Sequence, residues 1–195
     1  MPGAMFYNIR SKSYYDQTNN SIEQIFRKQR LKSILESCGP ESSSSCMASL
    51  GYAIDGKVQP GDLMTIWMND PSNKKILESE FAVSQDKYMG NEIIEWYPIT
   101  VMILFGVKAA LIKEATWEKL TEELSMGNAV QILRAKPGHF QAALWYDEKT
   151  DTIIYNDSWP DRKGMKNRGF NETLTKDEFN SLYVKKAVVY QKKGD

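Results

Sequence analysis

The sequence predicts an α+β fold, with helices first and an antiparallel sheet after them. Three observations predict it. Apolar residues recur at helical spacing as far as Gly127. Beyond it, "NAVQILRA", "HFQAALWYD", "DTIIYNDSW" and "LYVKKAVVYQ" are short β-rich runs separated by turn residues. The chain has 195 residues, 42% hydrophobic and 26% charged, which suits one globular domain over 1–195 with a real core. The helical part is expected over about 13–127 and the sheet over about 128–192.

The elements follow in order. "SIEQIFRKQRLKSILES" carries Ile22, Ile25, Phe26, Leu31, Ile34 and Leu35 as the apolar side of one amphipathic helix or two short ones. "CMASLGYAIDG" spaces Met47, Leu50 and Ala53 helically and stops at Gly56. The stretch from Pro60 to about Lys87 reads as mostly helical. Asn91 to Phe105 reads as another helix, with Pro98 a kink or break. "VKAALIK" is a short strand. Thr116 opens a helix that ends at Gly127. "EKTD" joins two of the later strands as a hairpin. "TKDE", from Thr175 to Glu178, is a capping box ahead of the last strand.

Composition excludes several function classes. Lys+Arg and Asp+Glu balance at 25 each, so charge gives no argument for nucleic acid or an anionic membrane as partner. The most apolar run, Ile99 to Ile112, is short and broken by Gly106 and Lys108, which suits a core segment rather than a membrane span. "MPGAMFYNIRSKSYYDQ" lacks a basic stretch followed by an apolar one, so synthesis in the cytoplasm without a signal peptide is expected.

The chemistry-bearing residues are few. Cys38 stands before Gly39-Pro40, and proline suits the first turn of a helix, so Cys38 is expected at a helix mouth. A helix N-terminus and a nearby imidazolium both activate a thiol. Cys46 lies two turns deeper and reads as a small core hydrophobe. A Cys38–Cys46 disulfide would have to span about 12 Å of helix, beyond its reach. Two cysteines and one distant histidine make no standard zinc set, so neither metal nor cofactor is expected. His139 is the only histidine and follows Pro-Gly at the start of an apolar strand, which fixes its position at a rigid end. The next strand ends in Asn156-Asp157. Either could orient an imidazole, but faces alternate along a strand, so only one can meet His139. Parity alone leaves both open. Trp67, Trp96, Trp117 and Trp145 read as core or groove wall. Glu41 reads as a cap or a substrate-facing acid. The loop carrying Arg162, Lys163, Lys166 and Arg168 reads as solvated.

"CGPESSSSCMASLGYA", "GHFQAALWYD" and "YNDSWPD" together resemble the Cys-Gly-Pro, Gly-His and Asn-Asp-Pro blocks of the bacteriocin double-glycine leader peptidase-like family. That family belongs to the papain-like cysteine peptidase superfamily. "DSW" is also similar to the Asn-Ser-Trp of papain. The resemblance covers roughly residues 13–180. It implies a papain-like fold, Cys38 as nucleophile, His139 as base, Asp157 as the orienting residue with Asn156 as its alternative, and Trp159 as a shield over that contact. The family's close-in oxyanion glutamine is replaced here by Lys32. "SYYDQTNNS" resembles the opening of a subset of these domains and nominates Gln17, with Gln29 as competitor. The implied activity is amide hydrolysis by a Cys-His-Asp triad on a peptide or peptidoglycan substrate, foremost as a phage-type or bacterial cell-wall endopeptidase. Leader or peptide processing is one alternative. A non-catalytic papain-like binding or structural protein is the other.

Overall fold

The computed structural model describes residues 38–52, 60–70, 72–73, 75, 93–136, 138–159 and 169–192. The expected amphipathic helix before Cys38, Gln17, Gln29 and the basic loop at 160–168 lie outside the described residues.

Helix α1 (Cys38–Ser49) carries both cysteines and the serine run. It stops earlier than the spacing of Leu50 and Ala53 suggests. Tyr52 N–H donates to Met47 O and Gly51 N–H to Ala48 O, at 3.1 Å each, which closes the helix and turns the chain away. Helix α2 (Pro60–Asn69) follows. A 3-10 turn (Ile93–Trp96) leads into α3 (Tyr97–Phe105). Pro98 stands in the first turn of α3, so it opens this helix rather than kinking a longer one. Strand β1 (Ala109–Ile112) and α4 (Trp117–Ser125) come next, with Thr116 capping α4 by accepting from Lys119 N–H at 3.3 Å. Then follow β2 (Ala129–Arg134), β3 (His139–Asp147) and β4 (Thr152–Asn156). Strand β5 (Glu172–Thr175) was absent from the sequence reading, because "ETLT" is short and polar on alternate positions. The capping box at Thr175 and Glu178 opens α5 (Lys176–Leu182) as expected, and β6 (Tyr183–Tyr190) completes the sheet.

The six strands run antiparallel in the order β1-β6-β2-β3-β4-β5. Strand β1 comes from the helical part of the chain, yet it forms one edge of the sheet beside β6. Alternation gives the sheet two apolar faces. Leu133, Phe140, Ala142, Val188 and Tyr190 pack with Cys46, Met47, Met64, Tyr97 and Val101 of α1, α2 and α3. Val130, Ile132, Ala143, Ile153 and Val189 pack with Trp117, Leu120 and Phe179 of α4 and α5. Each fully buried Leu or Ile contributes about 1.5–3 kcal/mol. The sheet is therefore a buried plate between two helical layers, and α1 crosses it over β3 and β2. Among the described residues no helix is long and apolar enough to cross a membrane.

Candidate active site

The site forms where the first residue of α1 meets the first residue of β3. Gly138 makes that possible on the strand side. Its φ of +77° closes the turn after β2 in a conformation that side chains resist, and delivers His139 at the strand's open end. On the helix side, the hydroxyl of Tyr97 occupies the place where a Cβ on Gly39 would stand, with Phe140 against the same spot. Tyr97 and Phe140 meet edge to face at 5.4 Å. Only glycine next to Cys38 lets the helix end sit this deep.

His139 Nε2 donates to Asp157 Oδ1 at 2.5 Å. The backbone N–H of Trp159 donates to the same oxygen at 2.9 Å. Gln141 Nε2 donates to Asp157 Oδ2 at 2.6 Å, and Tyr183 OH donates to Gln141 Oε1. Asp157 is thus fully buried and held through both oxygens. Burial pushes its carboxyl up, but the hydrogen bond and charge of His139, then Trp159 N–H and Gln141, outweigh this and hold it below its ordinary value. Burial pushes His139 down. The hydrogen bond to Asp157, the hydrogen bond and charge of Cys38, and the charge of Asp157 overcome it and raise the imidazole to about 9. With Nε2 committed to Asp157, Nδ1 is the nitrogen left for the thiol. Cys38 is 5% and His139 3% exposed, so the pair is drawn out of bulk water.

The structure brings Cys38, His139 and Asp157 together. Register explains why Asp157 rather than Asn156 meets the imidazole. Asn156 stands opposite Ala142, one step out of phase with His139 and Gln141, so Asp157 falls on their face. Asn156 Oδ1 instead accepts from Asn171 N–H at 3.0 Å and ties down the return of the chain. Trp159 lies half-buried with its ring 6.0 Å from the imidazole at 63°, an edge-on contact. Cys46 is free and fully buried among apolar residues. Glu41 is buried as well, its carboxylate lying against Gly61 in the first turn of α2 and away from solvent. Trp96 and Trp117 are core; Trp67 and Trp145 are half-buried. Among the described residues no group of three or more metal-ligating side chains converges.

Four positioning residues escaped the sequence reading. Gln131 Nε2 donates to Gly39 O at 2.9 Å and to Ser42 Oγ at 2.8 Å, and its Oε1 accepts from Tyr190 OH at 3.1 Å. Tyr190 OH also pairs with Ser43 Oγ at 2.6 Å. Gln141 and Tyr183 form the second pair, behind Asp157. A signal was present: each glutamine interrupts an otherwise apolar strand, and buried amides find partners.

A family model described as the Peptidase_C39 like family matches residues 10–187. The chain belongs to this family. It is one of papain-like cysteine peptidases, and the helix-then-sheet architecture fits. A C39-like peptidase of Bacillus anthracis is similar to it at 15% identity and a TM-score of 0.37, covering 50% of this chain and 58% of its own. The chain thus spans a little over half of that structure's length. The second is a double glycine motif protease from an AMS/PCAT transporter, solved in complex with the leader peptide. It matches at 15% identity and a TM-score of 0.44, covering 80% of this chain and 84% of its own. No curated protein matches the chain.

Proposed function

We propose that the protein is a cysteine peptidase that hydrolyses amide bonds through Cys38, His139 and Asp157. One observation carries the reading: the thiol at the N-terminus of α1 shares a buried hydrogen-bonded chain with the only histidine and Asp157. The thiol proton passes to His139, and the thiolate attacks the carbonyl carbon. The helix N-terminus favours negative charge at that point. The backbone N–H of Cys38 and a glutamine side chain, Gln17 in preference to Gln29, hold the developing oxyanion; such a donor is worth roughly 3 kcal/mol. His139 then protonates the leaving amine, and water cleaves the thioester. Asp157 keeps Nε2 as the donor and Nδ1 facing sulfur.

As substrate we infer the peptide bridges of cell-wall peptidoglycan, which the resemblance to phage-type and bacterial wall peptidases supports. Purified walls and a soluble peptide library would be digested separately and the products read by mass spectrometry, with Cys38→Ala as control. New amine and carboxyl ends from walls are expected. Cleavage confined to soluble peptides would replace the wall substrate with peptide processing. Full activity of Cys38→Ala would sink the peptidase reading altogether.

A further inference from the structure

Arg134 is the last residue of β2, just before the turn that leads to His139. It stands directly opposite His139 across the β2–β3 pair, and opposite Tyr183 across the β2–β6 pair. Residues opposite one another share a face of the sheet. The strand order then sets Arg134 on one flank of the imidazole and Asp157, which follows β4, on the other.

The guanidinium is poorly provided for. Its Nε is buried and makes no hydrogen bond. The side chain is half-buried, and its terminal nitrogens reach solvent. A guanidinium nitrogen withdrawn from water without an acceptor is costly. A second cation directly across the strand pair adds to that cost, and His139 becomes such a cation when it takes the thiol proton. Asp157 offers no relief, since its oxygens already serve His139, Trp159 and Gln141. What would offset the arrangement is an anion arriving from outside.

We propose that Arg134 binds a carboxylate of the substrate close to the scissile bond, so that the site prefers acidic peptides. Wall peptides carrying free carboxylates are of this class. The inference rests on Cys38 being the nucleophile, and its test separates the two. Cys46 is fully buried, so alkylation of the folded protein reads Cys38. Rates with anionic iodoacetate and neutral iodoacetamide would be measured for the native chain, Arg134→Gln and Arg134→Lys. Expected is a drop of about tenfold in the ratio of the iodoacetate rate to the iodoacetamide rate for R134Q, with partial recovery in R134K. Cleavage of matched peptides with Glu or Gln beside the scissile bond should show KM rising in R134Q for the Glu peptide alone. An unchanged ratio of alkylation rates with rapid iodoacetamide labelling would overturn the role of Arg134 and leave the peptidase standing. A native Cys38 no more reactive than free cysteine would overturn both.

Discussion

Two buried glutamines on neighbouring strands do matching work on opposite faces of the sheet. Gln131 of β2 faces α1, and Gln141 of β3 faces α4 and α5. Each accepts through Oε1 from a tyrosine of β6, Tyr190 for the first and Tyr183 for the second. Each tyrosine thereby fixes which way its amide points. Each Nε2 then grips one half of the site: Gly39 O beside the nucleophile in one case, Asp157 Oδ2 in the other. The difference lies in what is gripped. Gln131 holds a neutral carbonyl and so fixes position. Gln141 holds an anion and so also fixes charge. One should matter mainly to folding, the other to the proton equilibrium of the site.

The largest effect is expected from removing the anion itself. Asp157→Asn should lower kcat by about 10² to 10⁴-fold. It should also drop the titration of His139 below its native value of about 9, since the hydrogen bond and charge of Asp157 both raise it. The chain has one histidine, so a single imidazole resonance followed by NMR against pH reads this directly. Unchanged titration would break the assignment of Asp157.

Next comes the paired test of the glutamines. Gln141→Leu leaves a buried carboxylate without one donor, so the acid limb of the pH–rate profile should move up by about one unit. Gln131→Leu should cost about 1–3 kcal/mol in denaturant unfolding and leave that limb where it is. If both variants shift the limb alike, the distinction between holding position and holding charge fails.

The pair also sets a stability window. His139 is raised on folding, so its contribution is full below about pH 6.5 and is lost as pH rises through about 9. Asp157 is lowered, so its contribution is full above its ordinary value near 3.8 and is lost as pH falls through its folded value. Urea midpoints across pH should therefore plateau between about pH 4 and 6.5. Cys38→Ala removes one cause of the His139 shift and should bring the alkaline decline to lower pH.

The smallest effect should come from the exposed Lys176–Glu118 pair, 2.6 Å apart with side chains 48% and 67% exposed. Solvent screens such a contact. Glu118→Gln should leave the thermal midpoint unresolved from native, in contrast to either buried glutamine.

Much of the fold was legible because its signals are local. Thr116 and Thr175 cap the helices they were expected to cap. The four β-rich runs became β2, β3, β4 and β6. Misreadings came where local signals are weak or compete. "ETLT" is too short to stand out, and Gly51 ended α1 while the apolar spacing still ran on. In the site, Cys38 and His139 were visible from Gly-Pro and Pro-Gly beside them. Asp157 over Asn156 came from the family resemblance alone, because register depends on long-range pairing and the residues by themselves left both open. Gln131, Gln141 and their tyrosines were not visible, each partner lying a strand away.

The sequence by itself determined the α+β order of elements, the thiol at a helix mouth and the imidazole at a strand's open end. Those follow from backbone preferences of residues close in the chain. Only the tertiary structure decided the register that carries Asp157 and not Asn156 to His139, what the serines of α1 bind, and that Arg134 stands across from His139 without an acidic partner among the described residues. Each of these depends on which strands are neighbours and in what register, and no local preference encodes that.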